Sequence, residues 1–243
     1  MSGGGARGYA HIGVLQALNE KGIFPEVIGG TSAGSIAGAF YCDGKSPKEI
    51  AEILKKHDIN GTMNLVNFFA GFMRHDKLKM VLDQFLIHKN FEELNIPLFI
   101  NATNYLNGKE EIFSSGTIAD KVIASSTLPI LFEASKINGI PYVDGGLANN
   151  LLAQPLRPLC EIVIGVHVNP IKEWSEKISM LDNLDRALHM GINHNIEVGK
   201  KMCDLFIEPP GLSKFQILDS KKLDEIYTVG YEYTMEFLAK ESF

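Results

Sequence analysis

A serine flanked by glycines lies near the start of the chain, in the run Gly30-Thr31-Ser32-Ala33-Gly34. Residues 24–28 before it are typical of a short strand, and residues 36–41 after it are typical of a buried helix. G-x-S-x-G between a strand and a helix is the pattern of a nucleophile elbow, a sharp turn that exposes the serine hydroxyl at the end of the strand. Gly30 and Gly34 let the strand and the helix approach each other without Cβ clashes. The pattern predicts that Ser32 is a nucleophile that attacks an acyl carbon.

A glycine-rich loop and an aspartate supply the other groups that such a serine needs. The loop Gly3-Gly4-Gly5-Ala6-Arg7-Gly8 leads into a helix, and the crossover to the next strand brings its backbone amides to the same sheet edge as Ser32. Asp144 follows a predicted strand and precedes Gly145 and Gly146, which allow its loop to fold inward. Burial in an apolar cleft raises the basicity of such a carboxylate. These residues predict Asp144 as the general base and the amides of residues 3–8 as an oxyanion hole.

The length and composition limit the class of protein. The chain has 243 residues, 45% hydrophobic and 21% charged, without a repeat or a linker, which predicts one domain over residues 1–243. The net charge of −6 gives no electrostatic basis for binding nucleic acid. No apolar run is long enough to span a bilayer. Three scattered cysteines indicate reduced thiols, so we expect a cytoplasmic protein without a transmembrane segment.

Predicted strands alternate with predicted helices along the chain. We expect strands at residues 24–28, 98–103, 111–114, 161–168 and 205–207. We expect helices at residues 9–19, 46–57, 77–86, 117–125, 176–201 and 223–240. Asn107-Gly108 and Asn138-Gly139 predict tight turns, and Gly13 on the first helix is expected to pack closely against the sheet. The alternation favours an α/β fold of three layers, in which a mostly parallel central sheet has helices on both faces.

The strand expected before the glycine loop is missing from the chain as written. Loops of this kind normally follow a strand, and only Met1 and Ser2 precede the loop. The handedness of βαβ crossovers would place that strand in the same sheet as Val27 and Ile28. The sequence therefore predicts an unpaired edge or a gap in the sheet beside these residues.

Four motifs in this order resemble the patatin-like phospholipase family, in its bacterial branch. They are the glycine loop at 3–8, the elbow at 30–34, the segment Ala124-Ser125-Ser126-Thr127-Leu128-Pro129 and the triplet Asp144-Gly145-Gly146. The resemblance implies a Ser32–Asp144 dyad without histidine and an oxyanion hole formed by the glycine loop. It also implies hydrolysis of lipid acyl esters at a membrane or micelle surface, without a metal or another cofactor, by an enzyme peripheral to the membrane.

The sequence departs from the family pattern in two places, and two other features have more than one interpretation. The first strand is missing, and Leu151-Leu152 follow Asn149-Asn150 where the family often has a proline. The apolar residues 64–73 fit packed core, or a lid or wall of an acyl pocket. Arg7 fits hydrogen bonding to structural carbonyl groups, or positive charge offered to a phosphate headgroup.

Another hydrolase mechanism is the first alternative. In an ordinary α/β-hydrolase, a histidine completes a triad with Ser32 and Asp144, and the candidates are His167, His189 and His194. His167 is the best of the three because it lies near the end of a predicted strand. The elbow at residue 32 comes too early for the strands that normally precede it in that fold. His189 and His194 are five residues apart, which does not favour a metal pair on one helix face.

A binding module is the alternative of another class. Gly3-x-Gly5-x-x-Gly8 before a helix matches the dinucleotide-binding fingerprint. That fingerprint needs a preceding strand and an acidic residue at the end of the second strand, and here the second strand leads into Gly30 and Ser32. A non-catalytic module would not need both an elbow serine and an aspartate–glycine loop.

Overall fold

The computed structural model describes residues 1–57, 72–129, 132–171, 180–217 and 219–241. Within these ranges the helices are α1 (Tyr9–Glu20), α2 (Ala33–Cys42), α3 (Pro47–Lys56), α4 (Phe72–Phe85), α5 (Ile118–Ser125), α6 (Met180–Lys200) and α7 (Leu223–Leu238). The strands are β1 (Ile28–Gly30), β2 (Leu98–Asn104), β3 (Glu110–Phe113), β4 (Ser135–Ile137), β5 (Ile140–Asp144), β6 (Ile164–Val166) and β7 (Leu205–Ile207). The two interpretations of residues 64–73 concern side chains that lie outside the described residues.

The central sheet is mixed, which corrects the prediction of a mostly parallel one. Its order is β1-β2-β5-β4, with β3 also paired to β2, and a separate sheet is formed by β6 and β7. β1 is parallel to β2, and β6 is parallel to β7. The pairs β2–β3, β2–β5 and β4–β5 are antiparallel. Tight turns explain the pairs β2–β3 and β4–β5: Gly108 and Gly139 have positive φ angles of 71° and 82°, and the turns they form reverse the chain between these consecutive strands.

Met1 and Ser2 stand where the missing first strand was predicted. The amino group of Met1 donates to the Gly29 carbonyl at 2.7 Å. The amide of Thr31 donates to the Met1 carbonyl at 3.1 Å, which is the bonding pattern of a parallel strand. On the other side, the Ser2 amide donates to the Val166 carbonyl at 2.9 Å. The two residues therefore connect the edge of β1 with the edge of β6.

Both faces of β1 are covered, which agrees with the predicted layers. A Cβ on Gly38 of α2 would lie 3.1 Å from Cγ2 of Ile28, so Ile28 faces this helix. A Cβ on the next residue, Gly29, would lie 2.5 Å from the carbonyl oxygen of Leu152 on the opposite face. Gly199 of α6 approaches the neighbouring Leu151 in the same way, at 2.4 Å from its carbonyl oxygen. The fold is thus α/β, with helices packed around a central sheet.

Gly13 is a close-packing position, but its partner is a helix and not the sheet. A Cβ on Gly13 would lie 2.2 Å from the carbonyl oxygen of Tyr227 in α7. Gly230 of α7 approaches α1 reciprocally, because a Cβ there would lie 2.4 Å from the Ala10 carbonyl oxygen. The prediction of close packing is confirmed, and the predicted partner was wrong because a glycine shows that a backbone comes near without showing which one.

Candidate active site

Ser32 lies on the turn between β1 and α2, in a backbone conformation that few non-glycine residues adopt. Its φ and ψ angles are 49° and −117°. Such a conformation costs about 1–3 kcal/mol and persists only where the surrounding structure holds it. The flanking glycines make the turn possible, since a Cβ on Gly30 would lie 2.5 Å from the carbonyl oxygen of Gly34. The local sequence therefore produces a strained elbow with the serine at its tip.

Asp144 ends β5 beside the central strand β2, and its carboxylate contacts the elbow serine. Ser32 Oγ donates to Asp144 Oδ2 at 2.6 Å, and the Gly146 amide donates to Oδ1 at 2.8 Å. The two residues are 8% and 5% exposed, so little water reaches the pair. Burial raises the pKa of Asp144 from 3.8 to about 6. The hydrogen bonds from Ser32 and Gly146 lower this pKa, but their effect is smaller than that of burial. The carboxylate is therefore a stronger base than a free aspartate and is still ionised at neutral pH.

The segment 124–129 connects the two residues through its backbone and a hydroxyl group. Ser125 Oγ accepts a hydrogen bond from the Ser32 amide at 2.8 Å. The carbonyl of Thr127 accepts a hydrogen bond from the Asp144 amide at 2.7 Å. This segment begins in the last turn of α5 and continues beyond it, so the carboxyl end of α5 positions both the elbow and the aspartate. The sequence motif was recognised without a role, and the structure supplies one.

The glycine loop lies against the elbow, but only part of it has amides available to a ligand. A Cβ on Gly3 would lie 3.0 Å from Ser32 Cβ, and a Cβ on Gly8 would lie 2.4 Å from Ala33 Cβ. The amide of Gly3 donates to Asn150 Oδ1 at 3.0 Å. Those of Ala6 and Arg7 donate to the carbonyls of Ile217 and Gly4, at 2.7 and 3.1 Å.

These contacts narrow the predicted oxyanion donors from six residues to two. Gly3, Ala6 and Arg7 use their amides within the protein. Gly8 lies in the 3-10 turn Gly5–Gly8, and because it has no side chain, Ala33 of the elbow can pack directly against it. Within the described part of the chain, the amides of Gly4 and Gly5 donate no such hydrogen bond. Gly4 and Gly5 are therefore the residues of this loop whose amides can receive an oxyanion.

Two asparagines hold the peptide groups on either side of Gly3, and the sequence did not single them out. Asn150 Oδ1 accepts from the Gly3 amide, and Asn169 Nδ2 donates to the Gly3 carbonyl at 2.6 Å. The backbone amide of Asn150 in turn donates to Asn195 Oδ1 of α6 at 2.9 Å. Asn150 Nδ2 is buried and has no hydrogen-bond partner among the described residues. The signal that could have found Asn150 was its place shortly after the aspartate loop.

The departure from the family pattern after Asn150 leaves the dyad intact. Leu151 and Leu152 are 2% and 1% exposed, so they serve as core residues. The backbone amide of Leu151 donates to Asn149 Oδ1 at 3.2 Å. The hydrogen bond between Ser32 and Asp144 forms with leucines in this loop.

Arg7 is a structural residue. It is 3% exposed, and its Nε donates to the carbonyl of Phe215 at 2.8 Å. A second guanidinium nitrogen donates to the same carbonyl. This corrects the alternative in which Arg7 offers its charge to a phosphate headgroup, because the guanidinium is buried and engaged.

His167, the best candidate for a catalytic triad, is engaged elsewhere. Its Nδ1 lies 2.6 Å from Glu208 Oε1, and its ring stacks on Phe206. The Ser32 hydroxyl donates directly to Asp144, with no histidine between them. The side chains of His189 and His194 lie outside the described residues.

Replacing Asp144 by asparagine is expected to stabilise the fold at neutral pH. Because the folded pKa of about 6 exceeds the ordinary 3.8, the folded protein loses stability as pH rises through this interval. At pH values above the folded pKa, the free energy of unfolding is lowered by at most about 3 kcal/mol. Urea unfolding of wild type and Asp144→Asn at pH 4.5 and 7.5 measures this, with the exposed Asp224→Asn as control. A stability difference that is equal at both pH values would contradict the expectation.

Comparisons with known proteins show which family and which proteins the chain is similar to. A sequence model of the patatin-like phospholipase family matches residues 1–157. The mouse "Patatin-like phospholipase domain-containing protein 6" is 28% identical over 274 residues, covering 96% of this chain and 20% of that protein. "Lysophospholipase NTE1" of Pyricularia oryzae is 27% identical over 274 residues, covering 99% of this chain and 18% of that protein. The chain thus spans about a fifth of the length of these relatives.

A solved structure shares the fold. The crystal structure of VipD from Legionella pneumophila superposes with a TM-score of 0.53 at 16% identity, covering 98% of this chain and 66% of that one. Within the described ranges of our structure, no helix is both long enough and apolar enough to cross a bilayer.

The family match covers more than half of the chain and includes the glycine loop, the elbow, segment 124–129 and the aspartate loop. It confirms the predicted family and leaves the dinucleotide-binding alternative without support. The chain belongs to the patatin-like phospholipase family.

Proposed function

We propose that this protein hydrolyses carboxylic esters of lipids through a Ser32–Asp144 dyad and an acyl-enzyme intermediate. The observation that carries the proposal is the 2.6 Å hydrogen bond from Ser32 Oγ to the buried carboxylate of Asp144. A nucleophile in direct contact with a base of raised pKa is the minimum arrangement for covalent acyl transfer. Family membership supplies the class of substrate, a lipid acyl ester.

The reaction needs two proton transfers through Asp144. In the first half, Asp144 accepts the hydroxyl proton of Ser32 while Oγ bonds to the ester carbonyl carbon. The oxyanion that forms accepts hydrogen bonds from the amides of Gly4 and Gly5. Collapse of this intermediate expels the alcohol, which takes the proton from Asp144. In the second half, water attacks the acyl-enzyme, gives a proton to Asp144, and releases the carboxylic acid as Ser32 regains its hydroxyl.

We propose that the substrate is a lysophospholipid or a similar single-chain lipid, taken from a membrane or micelle surface. Leu147, directly after the aspartate loop, is 43% exposed. Asn195 of α6 donates to the carbonyls of Gly146 and Leu147, so this helix borders the site. Met190 on the same helix is 57% exposed. Exposed apolar side chains on the aspartate loop and on α6 suit an apolar substrate. The name of the fungal relative, a lysophospholipase, supports the choice of substrate.

We propose that residues 1–243 form one domain that acts in the cytoplasm, peripheral to the membrane. α1 near the start packs against α7 near the end, and one hydrophobic core includes residues from Ala6 to Leu238. Cys42, Cys160 and Cys203 are free thiols, as is usual in a reducing compartment.

A panel of substrates tests the proposal. Hydrolysis of p-nitrophenyl esters of rising chain length is measured beside lysophosphatidylcholine, phosphatidylcholine and monoacylglycerol, each below and above its critical micelle concentration. We expect lysophosphatidylcholine to give the highest kcat/KM and its rate to rise above that concentration. A preference for short soluble esters, with no hydrolysis of lipids, would contradict the lipid substrate.

The activity is expected to fall at acid pH because the base must be ionised. With the pKa of Asp144 raised to about 6, log kcat/KM should rise with unit slope below this pH and level off above it. The pH–rate profile on a soluble p-nitrophenyl ester measures this without a change in micelle structure. A profile governed by a group near pH 4, or no acid limb at all, would contradict the role of Asp144.

Removing the amide of Asn169 is expected to loosen the glycine loop. Without the 2.6 Å hydrogen bond to the Gly3 carbonyl, the oxyanion donors lose their orientation. We expect Asn169→Ala to lower kcat by about 10- to 100-fold, since misplacement by about 1 Å can have this effect. KM and the apparent pKa in the pH profile of kcat/KM should stay close to the wild-type values. Asn183→Ala on the exposed surface of α6 is the control. A kcat equal to that of the control would contradict this positioning role.

A further inference from the structure

Two hairpin turns project from the edge of the sheet at which Ser32 lies. β2 is parallel to β1, so the turn after β2 lies at the same edge as the elbow after β1. The turn between β4 and β5 lies there too, because β5 runs back from this edge, from Ile140 to Asp144. Four residues of strand span about 13 Å, so the turns extend up to this distance beyond the dyad. Residues 105–109 and 136–140 are called the hairpin tips below.

The hairpin tips carry apolar side chains that the fold leaves uncovered. Leu106 is 74% exposed, more than any other large apolar side chain of the described residues, and Tyr105 is 59% exposed. Ile140 of the second tip is 37% exposed. The Tyr105 amide donates to the Pro141 carbonyl at 2.9 Å, which places the two tips side by side. Single exposed apolar side chains are ordinary, whereas three together on adjoining turns mark an interaction surface.

The backbone holds these side chains at the surface. In the first tip, the Asn104 amide donates to the Lys109 carbonyl at 2.9 Å, and the Gly108 amide donates to the Asn104 carbonyl at 2.8 Å. In the second tip, Asn138 and Gly139 have positive φ angles of 51° and 82°, the geometry of a two-residue hairpin turn. Because both turns are closed by the backbone, a partner that covers the apolar side chains does not have to order the chain first.

The charge of the hairpin tips is positive, although the whole chain carries a net charge of −6. Lys109 and Lys136 are exposed, and neither forms an ion pair with another described residue. The tips themselves contain no carboxylate. Glu110 and Glu111, which follow the first tip, accept hydrogen bonds from asparagines of β2 at 2.7 and 2.8 Å. The tips are therefore both basic and apolar, a composition that suits the headgroup region of an anionic lipid surface.

We propose that this protein docks on an anionic lipid membrane through the hairpin tips. Leu106 and Ile140 enter the boundary between headgroups and acyl chains, and Tyr105 lies at headgroup depth. The two lysines contact lipid phosphates. This docking holds the edge of the sheet that bears the dyad close to the membrane. The purpose of the docking rests on the lipid substrate proposed above, whereas the docking itself needs no hydrolysis.

A lipid surface fits the hairpin tips better than a protein partner does. A stable protein interface buries about 800 Å² on each side, and three apolar side chains on two narrow turns offer much less than this area. A lipid surface needs no complementary shape. Each lysine near an anionic leaflet strengthens binding by about fivefold, so a small basic and apolar surface is enough for docking.

Binding to vesicles without ester bonds tests the apolar part of the surface. The vesicles contain ether-linked phosphatidylcholine with about one third ether-linked phosphatidylserine, and the bound fraction is measured by sedimentation. We expect Leu106→Ser to lower the partition coefficient by about tenfold. Ile87→Ser is the matched control. Ile87 is 68% exposed, and its amide donates to Asp43 after the far end of α2, the helix that begins at the elbow. Its partition coefficient should equal that of the wild type.

A pair of charge variants tests the basic part. The variant Lys109→Gln with Lys136→Gln should lower the partition coefficient by about 20- to 30-fold at low salt, and by less at high salt. The control, Lys21→Gln with Lys48→Gln, changes the net charge equally. Helices α1 and α2 both begin beside the elbow, and these two control lysines come after their far ends. We expect a much smaller effect from the control pair, and no difference between the pairs on vesicles of phosphatidylcholine alone.

Fluorescence shows which edge of the molecule enters the lipid. Leu106→Trp and Phe24→Trp are each made with Trp174→Phe, which removes the one native tryptophan. Phe24 is 63% exposed and precedes β1, at the edge opposite the elbow. We expect lipids brominated in their acyl chains to quench the emission of Leu106→Trp and to leave that of Phe24→Trp unchanged.

Hydrolysis separates this inference from the proposed function. The ratio of the rate on lysophosphatidylcholine in anionic vesicles to the rate on a soluble ester should fall in Leu106→Ser and stay at the wild-type value in Ile87→Ser. Thermal unfolding shows that both variants are folded. A wild type that binds vesicles through the tips but hydrolyses no lipid would support the docking surface and overturn the proposed substrate. Lipid hydrolysis with an unchanged ratio in Leu106→Ser would overturn the docking surface and leave the proposed function intact.

Three binding results would also overturn the docking surface. The first is a partition coefficient of folded Leu106→Ser equal to that of Ile87→Ser. The second is quenching confined to Phe24→Trp, which would assign docking to the opposite edge of the sheet. The third is a wild type that does not bind vesicles but self-associates with increasing concentration, with this association lost in Leu106→Ser, which would assign the tips to a second copy of the chain.

Discussion

Ser32→Ala and Asp144→Asn are each expected to lower kcat by on the order of 10⁴-fold or more, while the protein stays folded. Ser32 forms the bond to the substrate, and Asp144 is the group 2.6 Å from its hydroxyl that can take the proton. Because the nucleophile and the base act as one unit, the double variant should be little slower than either single variant. Steady-state rates on one soluble ester and one lysophospholipid measure all three variants, with thermal unfolding as the test of folding.

The histidines provide the control for this result. His167 is paired with Glu208 and does not contact Ser32, so His167→Gln should keep most of the activity. The same is expected for His189→Gln and His194→Gln, since the resemblance to the family implies a dyad without histidine. Loss of activity in one of these variants, with most activity kept in Asp144→Asn, would replace the dyad by a triad.

Gly4→Val is expected to have the second largest effect on catalysis. A Cβ on Gly4 would lie 2.5 Å from Val168 Cγ2 and 3.0 Å from Asn169 Oδ1, so the loop must move. Movement would misplace the amides of Gly4 and Gly5, and the loss of one oxyanion donor lowers kcat by about 10²–10³-fold. Labelling of Ser32 by a small organophosphorus probe should be affected less, because the nucleophile and its base are untouched.

A matched glycine in a tolerant position shows whether the effect is specific. A Cβ on Gly191 of α6 would meet no atom of the described residues within 4 Å, so Gly191→Val serves as the control. We expect its kcat to stay near that of the wild type. If folded Gly4→Val had the same kcat as this control, the glycine loop would have no part in the stabilisation of the oxyanion.

The features that sequence predicted best depend on neighbouring residues. The elbow needs only two glycines around a serine between a strand and a helix, and Ser32 adopts the positive φ angle that such a turn requires. Ser46 and Glu49, three residues apart, cap α3 through reciprocal hydrogen bonds, which is a pattern read from neighbouring residues. Gly22, with a φ angle of 76°, follows the end of α1, the position where helices commonly have a glycine.

The features that sequence missed depend on residues far apart in the chain. Asn150 and Asn169 reach Gly3 across 147 and 166 residues, and the residues next to Asn169 do not indicate this contact. The alternation of strands and helices suggested a parallel sheet, although the turns at Asn107 and Asn138 already implied antiparallel neighbours. The amides available for an oxyanion could not be chosen from the six loop residues without knowing which were already paired.

Labelling with a fluorophosphonate probe, followed by peptide mapping, shows directly whether Ser32 is the nucleophile and Asp144 its base. We expect one adduct, on Ser32, formed rapidly by the wild type, much more slowly by Asp144→Asn, and not at all by Ser32→Ala. The rate of labelling should follow the ionisation of Asp144, with a midpoint near pH 6. An enzyme that hydrolyses lipid esters but carries the adduct on another residue, or labels equally fast in Asp144→Asn, would contradict the Ser32–Asp144 dyad.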